Sequence, residues 1–487
     1  MSKLNKMKVS EPFGTGVIAG TVTKTAGKYT DYELLRRVTL ANLLFEKVAY
    51  QGADSITAQI EALVPKVDPK LVVELAIECR KKQNLRHMPL WLILLVSEFH
   101  KGYPVADALA QIATRPDQLM DLIGMIKMRK GIKDDKKGQH LLKGLKGIKK
   151  GMAKAFDNYN DYQIAKYRKS NMEVSLIDVV NLVHPKPTPK NEKSLKELVA
   201  NTLAPADTWE TAGSKGQDKK ETFLRLINDE KLGSLAILRN IRNFKECGMD
   251  RKDIKKAISQ VCSTLLTPLN FLAAARVGTE YMQDINEAMK NCFAGYKIPG
   301  TTILAVDVSG SMGMVTSKYT DFDRLDLAVA MAALGSYIFE DMILVFTAGS
   351  DGLRTGKHIV WDNSKGLSIF NDINSIRGKV GQGGIFTAQL CEWLKEQGHA
   401  KNADRLVVIS DSQDIDVANC SKVKPDTSPY KNSYIIDIST HTHGIKTGVW
   451  TAEISGWSDG VFRYIAAVEN LNTKVDEKTD DETVDQQ

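Results

Sequence analysis

Three oxygen-bearing side chains follow a charge-free run of strand-forming residues well inside the chain. The run from Thr301 to Val306 ends at Asp307, and Ser309 and Ser311 follow at alternate positions before Gly313. Apolar and β-branched residues without charge predict a buried strand, and the glycines predict a tight turn. Carboxylate and hydroxyl oxygens are ligands that Mg²⁺ prefers, so this turn is a candidate site for Mg²⁺ or another divalent cation.

A second apolar run in the C-terminal part also ends at an acid. Leu406 to Ser410 read as a buried strand, and Asp411 follows directly. In an open α/β sheet, ligands bind in loops at the carboxyl ends of the strands, so Asp411 is expected beside Asp307. The alternative is a turn whose Asp and Ser side chains only cap a helix. We favour the cation site, because ligand-type residues alternate after one strand and a second strand ends in aspartate.

Beyond residue 300 the chain alternates between predicted strands and helices. The strands are expected at 301–307, 342–347, 357–361, 404–410 and 433–439, and the helices at 323–339, 366–376, 385–397 and 459–470. This order predicts a doubly wound, mostly parallel α/β sheet with helices on both faces, as a domain of residues 300–470. Residues 471–487 are acidic and lack aromatic side chains, which predicts a disordered tail.

Residues 1–299 show helical periodicity and almost no strand-like alternation. Helices are expected from Asp31, at 70–82 and 90–100, and then at 104–114, 116–128, 139–155, 160–169, 175–182, 192–203, 219–229, 231–245, 250–262 and 279–294. Many short helices joined by short loops are typical of all-α stacked pairs of the HEAT or armadillo kind. No repeat of fixed period aligns, so a compact irregular bundle is the alternative.

The two parts of the chain carry opposite charge. Residues 1–300 hold 49 Lys and Arg against 33 Asp and Glu, whereas residues 301–487 hold 17 against 26. A basic module suggests a polyanionic partner. Two solvated surfaces of different composition would give the same counts.

The basic residues are densest between positions 127 and 150. Ten Lys or Arg stand there against Asp134 and Asp135, and Tyr159, Tyr162 and Tyr167 follow closely. Basic side chains neutralise phosphates and aromatic rings can stack on unpaired bases, although a solvated helix is the alternative. The candidates for RNA contact in this stretch are Lys127, Arg129, Lys130, Lys143 and Lys146, of which the last two share a predicted helical face with Lys149 and Lys150.

Cysteine usage and hydropathy bear on the compartment. The six cysteines are scattered without a CxxC pair, which is typical of thiols in a reducing compartment. The N-terminal residues lack the apolar core of a signal peptide, and the longest apolar run, Leu90 to Val96, is too short to span a bilayer. We expect a cytoplasmic protein without a membrane partner, and a monomer.

The C-terminal part resembles the von Willebrand factor A domain. The metal-ion-dependent adhesion site of that family has the pattern Asp-x-Ser-x-Ser, then a threonine, then an aspartate, and the residues quoted above match all of it except the threonine. The Gly-Gly-Thr of the family stands here as Gly383-Gly384-Ile385, so isoleucine occupies the ligand position. Thr387 lies two residues later and is the expected replacement if the loop is rearranged.

The basic part resembles the Ro autoantigen family, in which a von Willebrand A domain also follows. The matching segments occur in the order of the family and cover nearly the whole chain. They are Tyr167-Arg168, the run from Leu176 to Pro187 that ends in His-x-Lys-Pro, Thr208 to Glu210, Leu235 to Asn240 and Pro268 to Leu272.

This resemblance implies a ring of HEAT-like repeats, called the TROVE module, that the A domain closes. It also implies binding of single-stranded ends of misfolded RNA in the hole of the ring and of small structured non-coding Y-like RNA on its outer surface, with a role in RNA quality control. Polynucleotide phosphorylase, tethered through a Y RNA in bacterial relatives, is a further candidate partner. Lys166 and His184 match RNA-contacting positions of the family. Ser170 stands where an arginine is expected, and Arg168 or Lys169 is the candidate replacement.

Three functional hypotheses follow from these features. The first is a non-enzymatic RNA-binding protein of the Ro type that serves RNA quality control or RNA degradation. The second is a metal-dependent phosphodiesterase or phosphatase that uses Asp307 with Asp411, Asp414 and Asp416, although neutral serines at the strand end disfavour it. The third is an adhesion module whose metal recruits a protein carboxylate.

Overall fold

A computed structural model describes most of the chain between residues 30 and 469. The described residues are 30–40, 53–81, 85–132, 141–168, 174–209, 218–263, 266–315, 322–411, 430, 432–438, 450–455 and 460–469. Contacts divide the chain into two compact units, one of residues 1–18 and 26–211 and the other of residues 19–25 and 212–487. The change from helices to strands near residue 300, which was predicted, therefore falls inside the second unit.

All regular elements described in the first unit are helices. They are α1 (Asp31–Leu40), α2 (Ala53–Leu63), α3 (Pro69–Lys81), α4 (Met88–Phe99), α5 (Ala106–Ile112), α6 (Pro116–Lys130), α7 (Lys146–Ala155), α8 (Asp161–Tyr167), α9 (Leu176–Val183) and α10 (Glu192–Val199). Proline within the first turn fixes the start of three of them, because its missing N–H has no helical partner there. Helix α2 was not predicted, and α7 begins at Lys146 rather than near residue 139.

Helix α4 forms the centre of the first unit. Every side chain from Leu90 to Val96 is buried, so this helix is apolar on all sides. Helices α3, α5, α6 and α7 pack around it. Helix α7 also lies close against α5, where a side chain at Gly151 would clash with the Ala106 carbonyl. The unit is thus a layered helical array with one apolar helix inside.

The described part of the second unit begins with five α-helices. They are Lys219–Asn228, Ser234–Glu246, Arg251–Ser259, Pro268–Val277 and Met282–Cys292. The helix at 268–277 was not predicted, although Thr267 and Asn270 form a capping box at its start. Its Arg276 pairs with Asp326 of the α/β part, which ties these helices to the sheet domain.

A six-stranded sheet follows, in the order β3-β2-β1-β4-β5-β6. Its strands are β1 (Ile298–Asp307), β2 (Phe339–Ser350), β3 (Thr355–Val360), β4 (Arg405–Ser410), β5 (Asn432–Asp437) and β6 (Ala452–Ser455). All neighbours pair in parallel except β2 and β3, which are antiparallel. The mostly parallel sheet is confirmed, and β6 was not predicted.

Helices cover the sheet and bury its central strands. Within the residues that the structure describes, the α-helices of this part are Arg324–Ile338, Ile373–Val380, Thr387–Glu396 and Gly460–Val468. Residues 366–372 were predicted as the start of a helix. They form a 3₁₀ helix directly before the Ile373–Val380 helix. Every residue of β4 is buried, as expected for a parallel strand covered on both faces.

Several sequence predictions concern residues or properties outside this description. The acidic tail at 471–487 and the acids at 414 and 416 lie outside the described residues. Among the described residues, no helix has the length and apolar character needed to cross a bilayer. Cytoplasmic location, the monomeric state and closure of a ring stay predictions.

Candidate functional site

Asp307 ends β1, and its carboxylate is fully buried at the carboxyl edge of the sheet. Its Oδ1 accepts a hydrogen bond of 2.8 Å from the Ser309 backbone N–H. Its Oδ2 accepts one of 2.7 Å from the hydroxyl of Ser410, the last residue of the neighbouring strand β4. Two adjacent strands therefore fix the orientation of this carboxylate.

The hydroxyls of Ser309 and Ser311 lie 3.1 Å apart in the turn that follows. The guanidinium of Arg377 braces this turn, since it donates to the Val308 carbonyl at 3.1 Å and to the Ser309 carbonyl at 3.0 Å. The Gly310 N–H donates to the Gln382 carbonyl, and a side chain at 310 would crowd that oxygen. The glycine between the two serines is thus required by a close backbone approach.

Asp411 follows β4 and is also fully buried, as expected from the sequence. A buried arginine lies against it: Nη1 of Arg324 donates to Asp411 Oδ2 at 2.6 Å. The same nitrogen lies 3.5 Å from the Ser311 carbonyl. The site therefore contains a permanent positive charge that the motif did not indicate.

The protonation of Asp307 reflects its surroundings. Burial, aided by the nearby Asp411 carboxylate, raises the pKa of the Asp307 carboxyl to about 7, even though hydrogen bonds from Ser309 and Ser410 lower it.

Ile385 belongs to the core. It is fully buried in an apolar cluster with Ile303, Val345, Leu390 and Leu394. The preceding glycines are held at the end of β2, where the Gly383 N–H donates to the Gly349 carbonyl at 2.9 Å. The isoleucine that stands at the expected ligand position therefore supports the sheet rather than a metal.

Thr387 is the first residue of the Thr387–Glu396 helix, and its side chain is fully buried. Its role as a metal ligand stays a prediction.

The oxygen ligands at this site meet only part of what a divalent cation needs. Mg²⁺ takes about six oxygen ligands and needs negative charge around it. Asp307, Ser309 and Ser311 supply suitable oxygens, but the charge of Asp411 is already balanced by Arg324. The residues as they stand do not fit a resident divalent cation.

The predicted RNA-binding residues lie in the first unit, and α7 carries the clearest basic surface. Lys146, Lys149 and Lys150 are exposed on this helix, while Ile148 and Met152 face the core. Lys143 is exposed in the turn before α7 rather than on the helix itself. The predicted shared face therefore holds for three of the four lysines.

The basic residues at the end of α6 are engaged within the protein. Arg129 pairs with Glu61 at 2.8 Å and with Glu98, and it lies over the ring of Trp91. Lys130 donates to the carbonyls of Leu141 and Lys143. Lys127 is half-buried on the same helix. This placement does not support direct RNA contact by Arg129, because its charge is neutralised by two glutamates.

Helix α8 combines a cation with aromatic rings. Nζ of Lys166 lies 5.8 Å from the Tyr162 ring centre and 5.9 Å from that of Tyr167. The guanidinium carbon of Arg115 also lies over the Tyr167 ring, 5.2 Å from its centre. Burial raises the pKa of Tyr167 to about 12. Tyr159, by contrast, is fully buried and donates its hydroxyl to the Ala113 carbonyl, so it is not a stacking platform.

Arg168 and His184 end two neighbouring helices. Arg168 is the partly exposed C-cap of α8, and His184 is the exposed C-cap of α9 with a left-handed φ of 50°. Both helices pack on α6. Lys169 lies outside the described residues. The described candidates Lys166, Arg168 and His184 therefore belong to one helical layer of the first unit.

Three arginines with roles at these sites were not singled out from the sequence. Arg324 and Arg377 contact residues 87 and 68 positions away in the chain, and Arg115 reaches α8 from the start of α6. No local spacing could have identified such partners. The long chain separation is itself the reason that motif reading missed them.

The fold and site define a class: a helical array followed by a doubly wound α/β domain with a von Willebrand A type motif. No family model and no curated protein matches this sequence. Among solved structures, the fold is similar to the crystal structure of the Ro protein (RSR) of Deinococcus radiodurans. That similarity has a TM-score of 0.56 at 15% identity and covers 90% of this chain and 99% of the other. The Ro-type fold predicted from the sequence is thereby confirmed.

Proposed function

We propose that this chain is an RNA-binding protein of the Ro type that acts without catalysis. The observation that carries the proposal is the exposed lysine face of α7, within a helical unit that also presents Lys166, Arg168 and His184. Lysines clustered along one helix face are the electrostatic footprint of a surface that neutralises phosphates. The likeness to the Ro fold supports the same reading.

Small structured Y-like RNA and single-stranded ends of misfolded RNA are the proposed ligands. Structured RNA offers a dense phosphate surface to the lysines, and an unpaired end offers bases to the rings of Tyr162 and Tyr167. We propose RNA quality control as the setting, with polynucleotide phosphorylase as a partner held through the RNA.

The direct test is binding of a labelled stem-loop RNA with an unpaired 3′ end. We expect the Lys166→Glu, Arg168→Glu double variant to bind at least about tenfold more weakly and with a flatter dependence on salt, because two phosphate contacts are lost. The matched control is Lys66→Glu with Lys70→Glu, the same charge change on exposed residues of the same unit. Equal affinity of the α8 variant and the wild type at several salt concentrations would contradict the proposal for this helix.

The absence of catalysis is tested separately. Incubation of the pure chain with labelled RNA and Mg²⁺ or Mn²⁺ is expected to leave the RNA intact. Steady cleavage that needs the metal and disappears in Asp307→Ala would instead establish the phosphodiesterase alternative.

A further inference from the structure

The cation site contains an arginine where a metal would be expected to act. Arg324 is only 6% exposed in its side chain and Asp411 is 0% exposed, and they meet at 2.6 Å. The Ser309 and Ser311 hydroxyls and the Asp307 carboxylate complete the group. A cluster with the ligand pattern of a metal site thus already holds a cation from its own chain.

Arg324 is held in this position by its backbone and its neighbours. It is the first residue of the Arg324–Ile338 helix, whose start is fixed by reciprocal hydrogen bonds between Asp323 and Asp326. Its N–H donates to the Met314 carbonyl at 3.1 Å, just beyond the serine turn. Asp326 is in turn paired with Arg276. The guanidinium is therefore placed by a capped helix end and not by a flexible loop.

A guanidinium and a divalent cation exclude each other at such a place. Arginine stays protonated at all working pH values and supplies only N–H donors, so it cannot ligate a metal. Two like charges a few ångström apart in a buried environment repel strongly. A metal bound at Asp307 would also compete with Arg324 for the negative charge of Asp411.

We propose that the Arg324 guanidinium is the built-in cation of this site, that it takes the place of a divalent metal there, and that it keeps the affinity for divalent cations low. The proposal concerns the second unit and does not depend on RNA binding. It departs from the Mg²⁺ predicted from the motif, because that motif contains no sign of Arg324.

The test is a titration of the full chain with Mn²⁺, followed by electron paramagnetic resonance. Wild type is expected to bind Mn²⁺ weakly. Arg324→Gln is expected to gain one Mn²⁺ site with at least about tenfold higher affinity, because a like charge has been removed. Its Tm should rise on addition of Mn²⁺, and further substitution with Asp307→Asn should abolish the gain.

Arg405→Gln is the matched control. Arg405 forms a buried pair with Glu469 at the opposite, amino end of β4, so its loss also breaks a buried ion pair in the same sheet. This variant should bind Mn²⁺ as weakly as the wild type and should show no rise of Tm with Mn²⁺.

Two results would overturn the proposal. One is tight stoichiometric Mn²⁺ binding by the wild type. The other is a folded Arg324→Gln variant with unchanged Mn²⁺ affinity. If Arg324→Gln folds neither with nor without Mn²⁺, Arg324→Lys decides: its flexible ammonium can withdraw more easily, so an affinity above the wild type supports the proposal and an equal affinity overturns it.

Discussion

Helix α7 of the first unit and the sheet of the second unit hold their positive charge in opposite ways. On α7 of the first unit, Lys146, Lys149 and Lys150 project from the surface with their apolar neighbours turned inward. At the sheet of the second unit, Arg324 and Arg405 are buried and paired with carboxylates. Exposed lysines cost little to keep and are accessible to a polyanion, whereas buried arginines are committed to the fold. The same kind of charge therefore points to binding on α7 and to a structural role at the sheet.

Arg405 is the clearest case of a buried arginine with a structural role. Its guanidinium donates to both carboxylate oxygens of Glu469, to the Thr302 hydroxyl at 2.7 Å and to the Pro299 carbonyl at 2.9 Å. The Tyr434 hydroxyl adds a further bond to Glu469. Such a saturated network joins β1, β4, β5 and the end of the last helix.

The largest effect on stability is expected from breaking this network. Arg405→Gln leaves Glu469 buried without its partner, which should lower the free energy of unfolding by about 3–5 kcal/mol. Chemical denaturation of the full chain measures it. A loss below about 1 kcal/mol would show that the Arg405–Glu469 pair contributes little to the stability of the fold.

Arg129 tests the comparison inside the first unit. It stands in the basic stretch but is paired with Glu61 and Glu98, so it should behave like a buried arginine rather than like a lysine of α7. Arg129→Gln should lower the free energy of unfolding by about 2 kcal/mol and leave RNA affinity within about twofold of the wild type. Loss of RNA binding at unchanged stability would assign Arg129 to the RNA surface instead.

Ile385 tests whether the missing threonine matters. Ile385→Thr restores the residue of the adhesion-site pattern but puts a hydroxyl into the apolar cluster around Ile303 and Leu390. We expect a loss of about 1–3 kcal/mol in the free energy of unfolding and no gain in Mn²⁺ affinity. Ile385→Val, which keeps the site apolar, is the control and should cost about 1 kcal/mol. Tighter Mn²⁺ binding by the threonine variant would show that this position does face the metal site.

The fold was largely predictable because its signals are local. The apolar runs before Asp307 and before Asp411 each predict a buried strand, and their alternation with helices predicts a mostly parallel sheet. Strand β6 has only four residues, too few for a pattern to stand out. The helix at 268–277 does carry a local signal, because Thr267 and Asn270 form a capping box at its start.

The site was predictable only in part, because only some of its residues are close together in the chain. Asp307, Ser309 and Ser311 lie within five residues, so their spacing shows them together. The pair of Arg324 and Asp411 depends on the packing of a helix start against the end of β4, and nothing near either residue indicates it. Likewise, Arg129 and Lys146 look alike in the sequence, and only the positions of Glu61 and Glu98 separate them.

Substitution of the α7 lysines is expected to have the smallest effect on stability, and it is the most direct test of function. Lys146→Glu, Lys149→Glu and Lys150→Glu together should change the free energy of unfolding by about 1 kcal/mol or less, because each side chain is exposed. Affinity for the labelled stem-loop RNA, measured from low to high salt, should fall at least about tenfold at low salt, and the salt slope should flatten by about 2. Unchanged affinity and slope in this folded variant would contradict RNA binding through the basic helical unit.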